Sequence, residues 1–204
     1  MLLMKCRICY LLIPLLLVGC AQTPHTGIET HDSWINQQTR LENLSYWSLS
    51  GKLAVITPTE RNSVNIHWQQ SDEDFQIHLT TFLGLNILEI KKVGLRTVIT
   101  DQDGNNYVSD DTQQLVQQLS GMDIPIKQLQ QWIKGNPKQA NYQLGDNQLV
   151  SSLLSNQNDK QGWSINYSDY RTVKGINLPY KLDLTRGQLR LKFAIANWQL
   201  PTTP

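Results

Sequence analysis

Few side chains in this 204-residue sequence can do covalent chemistry. There are three cysteines, Cys6, Cys9 and Cys20, and four histidines, His25, His31, His67 and His78. A metal centre needs such groups, or carboxylates, at ligand spacing; His25 and His31 fall in the tether region, and His67 and His78 sit in expected strands with no nearby Cys or carboxylate at that spacing. No G-x-S-x-G, H-E-x-x-H or glycine-rich phosphate loop is present. Hydrolysis would need a nucleophile such as Ser63 or Ser152 beside His67 or His78 as base. Asp72, Glu73 and Asp74 form an acidic cluster, but they fall in an expected hairpin turn and read as solvated surface. Cys20 has the most specific surroundings. It follows Leu17-Val18-Gly19. Small residues before a thiol let a peptidase reach the backbone, and the thiol itself can take a diacylglyceryl group.

The residues before Cys20 fit that chemistry. Lys5 and Arg7 give a positive start, and Ile8–Val18 is an uncharged, mostly apolar run of eleven residues. A membrane-spanning helix needs roughly twenty, so this run is expected to be exported and cleaved. Leu17-Val18-Gly19-Cys20 resembles the lipobox of bacterial lipoproteins. The expectation is a signal peptide over 1–19 and a Cys20 carrying an N-acyl chain and an S-diacylglycerol. Cys6 and Cys9 leave with the signal, so the mature chain can form no internal disulfide. Ala21, where an Asp commonly means inner-membrane retention, resembles the outer-membrane pattern.

Without its signal the chain has 185 residues and a formal charge of −1. That length suits one domain, and the absence of a basic cluster argues against a nucleic-acid partner. Residues 20–31 are polar, contain Pro24 and Gly27, and read as a tether; 32–200 read as the domain and 201–204 as a tail. Within the domain, Trp34, Ile35, Leu41 and Leu44 mark a helix over 32–44. The period then becomes two. Trp47, Leu49, Ile66, Trp68, Ile77 and Leu79 fall on the apolar sides of successive strands. Strands continue through 85–91, 95–100 and 105–108. Two helices follow, one with Leu115 and Leu119, ending at Gly121. The second starts near Pro125 with Ile126, Leu129 and Trp132, and ends at Gly135-Asn136-Pro137. Strands resume at 141–144, 148–154, 163–169, 179–185 and 189–198. About eleven strands joined by short turns predict an antiparallel meander that curls, its concave face lidded by the helices. Six tryptophans lie in these elements. They fit either a filled core or an apolar cavity. Thr81-Phe82-Leu83-Gly84-Leu85 is apolar where a turn should be polar. It is expected either to fold back or to stand out as an apolar tip.

These pieces resemble the LolB family of outer-membrane receptors that take lipoproteins from the periplasmic carrier LolA. The strongest stretch is Asp101–Pro137, DQDGNNYVSDDTQQLVQQLSGMDIPIKQLQQWIKGNP. His67-Trp68-Gln69-Gln70, the Leu79–Ile90 hairpin, Leu178-Pro179 and the Trp198 strand support it. The resemblance implies an incomplete antiparallel β-barrel lidded by helices, with an acyl cavity. It implies a monomer that transfers hydrophobic cargo, is not an enzyme and needs no cofactor or metal. The expected lining is Trp47, Leu49, Ile66, Trp68, Ile77, Leu79, Leu115, Leu119, Met122, Ile126, Leu129 and Trp132. The partners it implies are a LolA-type carrier, acylated lipoprotein cargo and outer-membrane lipid on the periplasmic leaflet. Phe82, Leu83, Gly84 and Leu85 match the family's membrane-insertion loop, with Leu83 at its functional leucine. The family usually has Pro before that leucine; this chain has Phe82. An outer-membrane assembly lipoprotein with a filled core, or a lipid hydrolase, are the alternatives that residues alone leave open.

Overall fold

A computed structural model describes residues 34–156 and 162–201. The expected signal peptide, Cys20 and the tether lie outside the described residues. The first helix, α1 (Trp34–Asn43), buries Gln37 and Leu41. Gln37 keeps its amide satisfied there. Its Nε2 donates to the Asn177 carbonyl at 2.7 Å, and its Oε1 accepts from the Asn177 N–H.

Eleven strands follow in two runs: β1 (Tyr46–Ile56), β2 (Arg61–Ser71), β3 (Asp74–Thr80), β4 (Asn86–Val93), β5 (Arg96–Asp101) and β6 (Asn106–Ser109), then β7 (Asn141–Leu144), β8 (Val150–Leu154), β9 (Ser164–Val173), β10 (Ile176–Arg186) and β11 (Leu189–Gln199). Between the runs lie α2 (Thr112–Ser120) and α3 (Ile126–Trp132). The sheet order is β6-β5-β4-β3-β2-β1-β11-β10-β9-β8-β7. Every pairing is antiparallel, as short turns require. The two edges, β6 and β7, are the strands that α2 and α3 connect, so the helices sit in the chain where a closed barrel would have a seam.

Alternation sets the faces. Leu49, Trp68, Ile77, Ile90 and Ile99 are directly opposed from strand to strand, and each is buried. They join one cluster with Val150 and Leu153 of β8 and with Leu115, Leu129 and Ile133 of the helical segment. One cluster drawing on strands near both edges means the sheet curls around its apolar face.

The curl has a local cause at the central seam. β1 and β11 shift register between Ser50 and Gly51, leaving Ala196 unpaired. Such a bulge increases twist. A side chain at Gly51 would place its Cβ 2.4 Å from the Ala194 carbonyl oxygen. Gly51→Ala is therefore expected to cost about 2 kcal/mol or more, read as a lower urea midpoint at unchanged slope.

The helices stop and start where their caps dictate. Asp111 accepts a hydrogen bond from the Gln114 N–H, and Gly121, at φ +70°, closes α2. α3 ends at Trp132, earlier than the Gly135-Asn136-Pro137 stop. The backbone turns at 133–135 instead, with Gly135 at φ +82°. The strands at 163–169 and 179–185 extend into a longer β9–β10 hairpin. Its turn has Lys174 and Gly175 both at positive φ.

Candidate functional site

Antiparallel order divides the turns between two rims. The β1–β2, β3–β4, β5–β6 and β10–β11 turns share one rim. The β2–β3 and β4–β5 turns and the start of β1 share the other.

The β3–β4 turn, Thr81–Leu85, carries the apolar tip. Phe82 is 84% exposed, Leu83 71% and Leu85 64%. The backbone beneath them is tightly tied. Thr81 N–H donates to the Leu85 carbonyl at 2.9 Å, Gly84 N–H to the Thr81 carbonyl at 3.0 Å, and Leu85 N–H to the Thr81 hydroxyl at 3.1 Å. Asn65 on β2 donates to the Thr81 carbonyl at 2.8 Å. Gly84 adopts φ +85°, which lets the turn close. A fixed backbone holding three apolar side chains in water is the arrangement that marks an interaction surface. The fold-back alternative does not describe this loop.

The interior is aromatic at its centre. Trp47 contacts Trp68 and Trp198, each at 5.3 Å between centroids, and Trp68 contacts Phe75 at 6.2 Å. Trp68 Nε1 donates to buried Gln70, whose amide donates to the Asp72 carbonyl. Trp198 Nε1 donates to the Pro179 carbonyl. Trp163 Nε1 is the one buried side-chain donor among the described residues with no hydrogen bond.

On the second rim a cleft of about 1120 Å³ opens over this aromatic group. Leu44, Trp47, Phe75, Ile126 and Trp132 are its apolar lining. Glu42, Asp72, Glu73, Lys92, Asp110, Asp111, Lys127 and Lys138 supply charge, and exposed Leu95 also borders it. Lys134 lines the same cleft although it is only 2% exposed.

The residues expected to line a cavity divide accordingly. Trp47, Ile126 and Trp132 border the cleft. Leu49, Ile66, Trp68, Ile77, Leu115 and Leu129 are buried in the cluster, and Leu79 is half-buried against it. Met122 is half-buried and borders a smaller hollow of about 450 Å³ on the tip rim, beside Asp123 and Arg186. Leu119 departs from the expectation. It is 40% exposed and borders neither hollow. It sits in the last turn of α2, just before the Gly121 cap, while the buried residues of that helix, Leu115 and Val116, lie a turn earlier. Leu44, Phe75 and Trp198 were read from sequence as helix or strand residues and not as part of the site, and Lys134 was not singled out. The apolar period marks the first three, and nothing in the sequence marks Lys134.

The polar candidates do not assemble a hydrolytic pair. His67 hydrogen-bonds Gln69 at 3.0 Å, and His78 lies 3.9 Å from Glu89, which is brought alongside by strand register. Ser63 is four residues from His67 on β2, roughly 13 Å along a strand. Ser152 is on β8, several strands away. Among the described residues no group of three His, Cys, Asp or Glu side chains could hold a metal ion.

An open, curled antiparallel sheet with helices between its edge strands defines the fold class. Solved structures share it at sequence identities too low to show more than fold. A LolA superfamily protein from Nitrosomonas europaea superposes with a TM-score of 0.53 at 8% identity, covering 85% of this chain and 96% of that one. A putative outer membrane lipoprotein-sorting protein domain from Vibrio parahaemolyticus gives 0.57 at 6% identity, covering 83% and 91%. The family model for outer membrane lipoprotein LolB matches residues 45–198. Outer-membrane lipoprotein LolB from Psychromonas ingrahamii is 49% identical over 189 residues, 93% of each chain. The protein of that name from Aeromonas hydrophila is 38% identical over 186 residues, 91% of this chain and 92% of its own. The chain belongs to the LolB family.

Proposed function

We propose that this protein is an outer-membrane lipoprotein that accepts acylated lipoproteins from a LolA-type periplasmic carrier and inserts them into the outer membrane. Cys20 carries the lipid anchor on the periplasmic leaflet, residues 20–31 tether a single domain to it, and the receptor works as a monomer. The process is transfer between apolar environments, with no bond made or broken. An acyl chain in water costs about 0.8 kcal/mol per CH₂, so each station must keep it dry. The curled sheet supplies such a station, entered through the cleft over Trp47 and Trp132. The bilayer is drier still and larger, so cargo moves on once a path opens. The exposed tip of Phe82, Leu83 and Leu85 opens that path by entering the lipid surface. A receptor that lacked this step would have no use for three apolar side chains held in water, and that observation carries the reading.

Bringing cargo acyl chains bearing bromine into the protein tests it. Bromine quenches indole fluorescence at close range. Quenching of the Trp47–Trp68–Trp198 group is expected with brominated lipopeptide and not with the same peptide lacking acyl chains. Equal responses to both would defeat the reading. The anchor has its own test. Cys20→Ala is expected to move the protein from the membrane fraction to the soluble periplasm, because the lipid needs that sulfur. Unchanged fractionation would mean that the fold, not the lipid, holds the membrane.

A further inference from the structure

Trp132–Pro137 is buried at six consecutive positions although it leaves α3 as a turn. Tyrosines brace it from beneath. Tyr167 donates to the Trp132 carbonyl at 3.0 Å, and Tyr170 packs so close to Gly135 that a Cβ there would meet its hydroxyl at 2.9 Å. Lys134 lies in the middle of this stretch. An ammonium has three N–H donors and is costly to bury unless they are met. Among the described residues one acceptor meets them, the Leu44 carbonyl at 2.6 Å, just past the end of α1. Burial lowers the Lys134 pKa to about 8; Lys138 adds to the drop and Glu42 opposes it. A hydrophobic side chain would fill this position without burying a charge. Lys134 lines a cleft of mixed character. Buried Trp47, Phe75, Ile126 and Trp132 line it together with charged groups.

A diacylglyceryl lipid has the matching division. Its chains are hydrocarbon, and its two ester carbonyls, which only accept hydrogen bonds, lie at the head end. Resting on the acyl-receptor reading above, we propose that Lys134 is a positioning residue for cargo: its remaining N–H groups bond the ester carbonyls and set how deep the lipid enters. The donors are then satisfied when cargo is bound, and an amphiphile without carbonyls gains nothing from them.

The test pairs one substitution with one ligand change. The secreted Cys20→Ala chain, which keeps every described residue, is titrated with a triacylated lipopeptide and with its analogue whose two ester links are replaced by ethers. Both are measured again on the same chain carrying Lys134→Met, which keeps length and apolar stem. The unsubstituted site is expected to prefer the ester ligand about tenfold or more, the range of a hydrogen bond to a charged donor. Lys134→Met is expected to erase that preference, and Lys134→Arg to keep part of it. Equal binding of ester and ether by the unsubstituted site overturns the proposal. So does a Lys134→Met chain that weakens both ligands by the same factor, since that is lost packing. If Lys134→Met fails to fold, the ester-to-ether ratio of the unsubstituted site still decides. Binding of neither lipopeptide would defeat the acyl-receptor reading itself, a different outcome from a receptor indifferent to esters.

Discussion

Leu83→Glu is expected to leave the protein folded and able to take up cargo, but unable to release it into a bilayer. Leu83 is 71% exposed, between Phe82 at 84% and Gly84, where an added Cβ would meet nothing within 4 Å. The turn's hydrogen bonds all run through backbone groups, the Thr81 hydroxyl and Asn65, so none is lost. A surface change of this kind alters stability by about 0.5 kcal/mol or less. The cost appears on contact with lipid. Moving from leucine to an acidic residue costs about 3–4 kcal/mol at the centre of a bilayer, and a tip that enters less deeply incurs part of that. Release to liposomes should therefore slow by tenfold or more while uptake from a loaded carrier continues. Normal release by a folded Leu83→Glu protein would remove the insertion role from this loop. Phe82 adds insertable aromatic area, and the Thr81 and Asn65 hydrogen bonds hold the turn that presents it.

Leu129→Asn should have the opposite signature. Leu129 is 4% exposed, on the face of α3 that packs into the core cluster. The substitution removes apolar contacts and buries an amide with no partner, a loss of about 3 kcal/mol. For a domain of this size that corresponds to a fall in Tm of roughly 6–12 °C. Because α3 forms part of the cleft through Ile126 and Trp132, cargo uptake should also weaken at temperatures where the variant is folded. Unchanged uptake together with the lower Tm would place Leu129 in structural core alone. The two variants are thus expected to separate the steps, Leu83→Glu lowering release at constant stability and Leu129→Asn lowering uptake and stability together.

Sequence periodicity carried most of this architecture. Alternation in Trp47–Val55, Val64–Trp68 and Phe75–Leu79 marked strands whose faces are strongly distinct, because one side is buried. Asp110 or Asp111, with Gly121, marked α2 through cap chemistry, and the structure selects Asp111 as the cap. The β9–β10 hairpin was partly hidden, since its turn uses Lys174 at φ +48°. Lysine is not a residue that favours that region, so Gly175 stood as a single turn residue between Tyr170 and Pro179 rather than as half of a recognisable pair. The tip was visible as an apolar turn, but only the fold shows its side chains standing in water. The cleft was not legible. Its walls come from α1, the β2–β3 and β4–β5 turns, the start of α2, α3 and the turn beyond it, and they meet only when the sheet curls. Lys134 was hidden for the same reason, being a charged residue that sequence places on a surface and tertiary packing encloses.

Transfer itself is the most direct measurement of the central claim. A LolA-type carrier loaded with a labelled lipoprotein is incubated first with this protein and then with liposomes, and the label is followed through both steps. Label is expected to pass from carrier to protein without liposomes present, and from protein to liposomes when they are added, with Leu83→Glu stopping at the first step. Label that stays with the carrier, or that reaches liposomes at the same rate whether or not the protein is present, would contradict a receptor that takes up and inserts acylated cargo.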